Sequence, residues 1–266
     1  MKKKIVLYSL WGFVLFLGCS KDSDVTSTNS TGVDKSGNLL TTGVSASDLL
    51  GNANFDKLLI EIAYVAGFQP SIEAMANFEN FLQERTFKEN IEFRYRSYSS
   101  PLKETLTLQE VVDLESENRT AYNEGSTLAL YIYFSDAAAD TDNEEENLVT
   151  LGAVYRNTSM VIYEQTVRDL ANNSNTIRVE DVETATLLHE MGHLFGLVGL
   201  SNTPVNAHED PDAENHCNVA GCLMRAELQF GSSLLKIMQN NAAKGSAVIP
   251  DFDAECLLDL QQYGGR

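Results

Sequence analysis

The sequence predicts an α/β (α+β) fold: a mixed twisted sheet with one buried, chemistry-bearing helix beneath it. Three observations predict it. Strand-like and helix-like segments alternate between residues 56 and 165. From Asp181 the apolar spacing turns helical and runs up to a glycine, Gly196. That last segment carries two histidines four residues apart, His189 and His193, with Glu190 beside the first. The 266-residue chain is 43% apolar and 21% charged, enough for one large domain and a tail.

The N-terminus reads as a targeting segment. Lys2, Lys3 and Lys4 precede an apolar stretch, residues 5–17, too short to span a bilayer comfortably. "GCS" follows, and a small residue before a cysteine resembles the lipobox of bacterial lipoproteins. Residues 1–18 are therefore expected to be a lipoprotein signal peptide, and Cys19 the lipidated first residue. Residues 19–49 are rich in Ser, Thr, Gly and Asp and read as a flexible tether. No repeat or second linker follows, so residues 50–266 are expected to form one domain.

Within that domain, residues 56–67 read as a buried strand. Residues 70–87 open with Pro70 and Ser71 and place Ile72, Met75, Phe78 and Leu82 at helical spacing. Residues 91–98 alternate like a half-exposed strand, 107–119 look helical, and 126–136 form an aromatic and aliphatic strand. Two short strands follow, 150–155 and 159–165, and the second is expected at the sheet edge before the histidine-bearing helix. The acidic run 140–147 lacks the Gly and Glu of a calcium loop and reads as a solvated loop. Asp181 is a plausible N-cap for the helix that follows.

Charge narrows the function. There are 38 Asp and Glu against 19 Lys and Arg, a net charge of −19. Such a surface repels nucleic acid and anionic membranes, so a DNA- or RNA-binding role is excluded.

His189 and His193 share one helix face and can pinch one metal ion. A zinc hydrolase takes three protein ligands and leaves a fourth position for water. In the extended pattern H-E-x-x-H-x-x-G-x-x-H the third histidine comes six residues after the second. Gly199 stands there instead. All four histidines fall within 189–216, which leaves His208 and His216 as candidates for the third ligand. Glu190 is placed to take a proton from a zinc-activated water. Gly196 lets the helix stop and turn back sharply.

"HCNVAGCLM" (216–224) reads H-C-x4-C-x-M. Joined to H-E-x-x-H-x-x-G, it resembles the archaemetzincin-like metallopeptidases, whose two motif halves are here pushed apart by residues 200–216. The resemblance implies a metzincin-like zincin fold with an active-site helix, a Met-turn and a small helical C-terminal subdomain. It implies His216 as the third zinc ligand, with His208 the alternative, Glu190 as general base and Met224 as the Met-turn methionine. The family also holds a structural zinc on four cysteines. Here Cys217, Cys222 and Cys256 are present, and Asp253 stands where another would be. The same cysteines suit one disulfide and one free thiol equally well. Both readings stay open.

The expected protein is a zinc-dependent metallopeptidase, an endopeptidase acting on a peptide or protein laid along the edge strand. Its cofactor is a catalytic zinc ion, with a second, structural zinc in one of the two cysteine readings. It is expected to be a monomer that meets the membrane only through its lipid anchor. The expected location is the outer membrane of a Gram-negative bacterium, facing the periplasm or the cell surface. The alternatives are a non-catalytic zinc-binding surface lipoprotein and a zinc amidase acting on cell-wall peptides.

Overall fold

The structure is a computed structural model that describes residues 33–143, 149–200, 203–226 and 231–266. The signal peptide, Cys19, the first part of the tether and the second half of the acidic run lie outside the described residues. Among the described residues, no helix is long and apolar enough to cross a membrane.

A short helix, α1 (Ala46–Leu50), leads into β1 (Lys57–Val65). Helix α2 (Ile72–Arg85) crosses over to β2 (Asn90–Tyr98). The two-residue β3 (Thr105–Leu106) and helix α3 (Leu108–Asn118) make the next crossover, to β4 (Thr127–Phe134). After the short β5 (Ala138–Ala139) come a hairpin, β6 (Gly152–Arg156) and β7 (Ser159–Ile162), then helices α4 (Glu164–Asn172) and α5 (Val179–Leu194). A small ribbon, β8 (Glu209–Asp210) and β9 (Ala213–Cys217), and two helices, α6 (Gly231–Ala243) and α7 (Ala254–Gln262), complete the chain.

The main sheet runs β2-β1-β4-β7-β6. The first four strands are parallel, which is why helices must carry the chain between them. Only β6 is antiparallel. Strand β4 is buried on both faces and so reads as a nearly unbroken apolar run. Alternate residues serve two cores: Leu58, Ile60, Ile62, Leu130 and Ile132 face the larger one, Ala63, Val65, Tyr131 and Tyr133 the smaller. Helices α2 and α5 pack on the larger side, where the Phe81 ring lies 6.1 Å from Phe195 and 5.5 Å from Phe252.

The helix starts follow local chemistry. Ser71 Oγ accepts from the Ala74 N–H, and Thr107 with Glu110 forms a reciprocal capping box. Ile72, expected on the buried face of α2, is 86% exposed because it is the first helical residue and precedes the contact stripe. Asp181 is not the N-cap of α5. That helix starts at Val179, and Asp181 reaches back from the third position to accept the Arg178 N–H at 3.0 Å.

Two further expectations are corrected. Residues 159–165 do not form the edge. Every residue of β7 is buried, with β4 on one side and β6 on the other, and Glu164 already belongs to α4. The hairpin turns at Asn157–Thr158 and places β6 outermost. The tether is also shorter than residues 19–49, because the segment from Val33 packs into the domain. Asn38 is fully buried: its Nδ2 lies 2.9 Å from the Asn123 side chain, 2.9 Å from Ala129 O and 3.1 Å from Thr158 Oγ1. Asn157 holds the same segment through Gly37 O, Leu40 and Ser45 Oγ.

Candidate metal centre

Every residue of α5 from Val182 to Leu194 is buried, polar ones included. A helix enclosed this way must find partners for its polar side chains. Thr186 Oγ1 donates back to Val182 O. Glu183 accepts from the Ser71 N–H. His189, Glu190 and His193 remain, and they lie together.

The Nε2 atoms of His189 and His193 are 3.2 Å apart. On the far side of the His189 ring, Nδ1 is 2.8 Å from Leu223 O. A carbonyl only accepts, so Nδ1 carries the proton and Nε2 presents its lone pair inward. The helix ends at Gly196, whose φ of +72° only glycine adopts freely, and its N–H reaches His193 O at 3.0 Å.

The β8–β9 ribbon brings the chain back. Asn215 takes a left-handed φ of +62° and donates its N–H to Glu209 Oε1, and the next residue is His216. The His216 ring lies 5.4 Å from that of His189 and 4.9 Å from that of His193. Its Nδ1 donates to Glu214 O at 2.8 Å, which again turns Nε2 inward. One ligand atom from each of the three histidines falls within 4.8 Å of the others. Tetrahedral zinc with Zn–N bonds of about 2.0–2.1 Å needs nitrogens about 3.3 Å apart. The His189–His193 pair matches that spacing, and His216 stands close enough to supply the third nitrogen.

Burial sets the charge states. Burial, and then the neighbouring His216, hold His189 down to about 3. Burial and the other two rings hold His193 well below its ordinary value. Both are neutral at neutral pH, as ligands must be. Burial pushes Glu190 up to about 8, against a hydrogen bond from the Val154 backbone. Its Oε1 is buried with no hydrogen-bond partner. Gly152 makes room for it: a methyl group there would lie 2.8 Å from Glu190 Cγ and 3.0 Å from Oε1. The three histidines and Glu190 thus meet beneath the edge strand. An open cleft of about 260 Å³ runs over them, lined by Ala153, Val154, Glu190, His193, Asn215 and His216, among others. Thr42 and Leu200 also line it, and nothing in the sequence pointed to either.

Met224 is buried and its sulfur faces Gly192, between the two helix histidines in sequence. The other predicted residues gather elsewhere. His208, Cys217, Asp253 and Cys256 form a second group whose potential ligand atoms lie within 4.8 Å of one another. Cys222 Sγ lies 3.5 Å from Cys256 Sγ, and these three cysteines are unbridged. His208 is thus with the cysteines, apart from the other three histidines.

No family model matches the chain, and no curated protein matches it in sequence. Among solved structures, it is similar to the crystal structure of archaemetzincin from Methanopyrus kandleri, at 18% identity and a TM-score of 0.46. The match covers 79% of this chain and 96% of that one.

Proposed function

We propose that this protein is a zinc-dependent metallopeptidase of metzincin type, an endopeptidase with His189, His193 and His216 as zinc ligands and Glu190 as general base. One observation carries the reading: three buried imidazoles converge, two with their tautomer fixed by backbone carbonyls, beside a buried carboxyl at the floor of an open cleft. A bound zinc ion supplies Lewis acidity for a carbonyl and acidifies water.

The chain's own residues do the rest. Glu190 is tied to the Val154 backbone and lines the cleft, where its carboxylate takes a proton from water and returns it to the departing amine. Among the described residues strand β6 pairs only with β7, and an extended peptide can add to its other edge by backbone hydrogen bonds beyond the Val154 N–H that Glu190 takes. Met224 supports the helix from below as the Met-turn residue, and the cysteine cluster takes a structural zinc. We further propose a lipid anchor at Cys19, which sets the protein on a Gram-negative outer membrane.

Replacing Glu190 by Gln tests the assignment. E190Q should lose at least ~100-fold in kcat, the usual scale for a general base, and keep its zinc. Loss of zinc together with activity would show that Glu190 holds the site together and is no base. If wild type cleaves no denatured protein, the non-catalytic zinc lipoprotein becomes the better reading. Mass spectrometry of products from cell-wall peptides tests the amidase alternative.

A further inference from the structure

Thr42 and Leu200 line the cleft beside the histidines, although they stand far apart in the chain. The two segments meet at Gly43. Its φ is +83°, and a methyl group there would lie 3.0 Å from Leu200 Cβ and 3.1 Å from Leu200 O. Only glycine turns the backbone this way and also lets it come so close. The other segment is bent to meet it. Val198 and Gly199 take left-handed φ values of +54° and +91° just before Leu200. A β-branched residue is rarely found in that conformation. It persists only where the surroundings over-determine it, and such residues cluster at ligand clamps. Val198 is fully buried, so the core holds the bend in place.

The N-terminal segment is also fixed to the strand above the cleft. Asn157 directly follows the last residue of β6. Its N–H donates to Leu40 O and its Oδ1 accepts the Leu40 N–H, both at 3.0 Å. Its Nδ2 donates to Gly37 O at 2.8 Å and to Ser45 Oγ at 2.7 Å, so it grips the chain on either side of Thr42. A peptide laid along β6 therefore meets this segment at the Asn157 end of the strand. The surface there is rich in aliphatic groups. Leu200, Ala153 and Val154 line the cleft with Thr42, and Leu39, Leu40 and Val44 stand about half exposed in the same short stretch. Apolar side chains left exposed together beside a cleft mark a binding surface.

We infer that the N-terminal segment around Thr42 and the bend at Leu200 form a specificity-determining wall of the cleft, which takes an aliphatic side chain of the peptide. This rests on the peptidase reading. Thr42 and Leu200 touch the substrate's side chain and not the reacting atoms. They select the peptide and leave the chemistry to the histidines and Glu190.

Digestion of a random peptide library by the zinc-loaded full chain tests this, with the products sequenced by mass spectrometry. Wild type should favour Leu, Ile, Val or Met over Asp by at least ~10-fold at one fixed position from the cut bond, the least that an apolar pocket contact gives. Thr42→Lys and Leu200→Lys should each turn that position toward Asp and Glu and leave the other positions as they were. Zinc content and melting temperature of the same samples show whether each variant is folded. Thr42→Ser and Leu200→Ala cover the case in which the lysine variants fold poorly, and each should weaken the aliphatic preference at that position alone. A wild type with no such preference, or one that the Thr42 variants leave unchanged, would overturn the inference and leave the peptidase reading standing. A wild type that cuts no peptide in the library would sink both.

Discussion

A methyl group on Gly192 would lie 2.2 Å from the sulfur of Met224, so the metal-bearing helix and the turn after the cysteines touch through a gap that only hydrogen fills. Phe252 closes the same gap at 3.2 Å, and Met224 is fully buried, so the sulfur has no room to retreat.

Gly192→Ala should therefore destabilise the protein by about 1–3 kcal/mol, the usual cost of overpacking. That outweighs the gain of about 1 kcal/mol that Ala brings to a helix interior. In a Met224→Ala background the penalty should shrink or change sign. Urea unfolding of the four proteins measures this, and an equal penalty in both backgrounds would show that the contact is not its source.

Gly152→Ala should act on the chemistry. Its methyl group would press on Glu190 Cγ at 2.8 Å and on Thr186 Cγ2 at 3.0 Å. Displacing a catalytic carboxyl by a fraction of an ångström costs on the order of 10-fold to 100-fold in kcat. Zinc content should stay at the wild-type value. Steady-state kinetics with metal analysis on the same sample checks both, and unchanged kcat would separate Glu190 from the reaction.

Glu164 should make stability fall with rising pH. Burial first, then the adjacent Glu183, push it up to about 9, while Arg168 only partly opposes them. The folded state then holds a proton that the unfolded chain releases above an ordinary carboxyl pKa of about 4.3. Stability is fully present below that value and is lost as pH rises toward 9. The slope is at most about 1.4 kcal/mol per pH unit. Glu164→Gln should flatten this part of the profile. Melting temperatures at pH 5, 7 and 9 test it, and parallel profiles for the two proteins would refute it.

Chelation should lower the melting temperature, because metal binds the folded chain and not the unfolded one. An ion present at a thousand times its Kd adds about 4 kcal/mol. His216→Ala should lose the part of that shift that belongs to the catalytic ion, together with its activity. Calorimetry with and without EDTA on both proteins reads this out. An EDTA-insensitive wild type would argue against any metal in the fold.

What could be read in the sequence depended on how local each feature was. His189, Glu190 and His193 are fixed by one helical turn, so four letters sufficed. β1 and β4 announced themselves as long apolar runs because both their faces are covered. His216 reaches the site only through the β8–β9 ribbon, so spacing alone left it level with His208. The choice lies in Asp259, fifty-one residues beyond His208, which draws His208 to the cysteines. The edge strand was missed because 159–162 and 152–156 look alike as short strands, and only the pairing with β4 tells them apart. Helix α4 went unread because it starts two residues after β7 with no glycine or proline between them. Residues 33–49 read as tether because polar side chains, Asn38 foremost, dock them.

The position of Asn38 has a consequence for how the protein is made and how it wears. Its partners sit 85 to 120 residues further along, in the loop before β4, on β4 and in the β6–β7 turn, parts that must first come together. The segment around it is therefore a latch that closes late in folding, after β4 and β7 have paired. A latch that closes late opens early, and among the described residues a protease added to the native protein should cut first between residues 33 and 45, well before the sheet gives way.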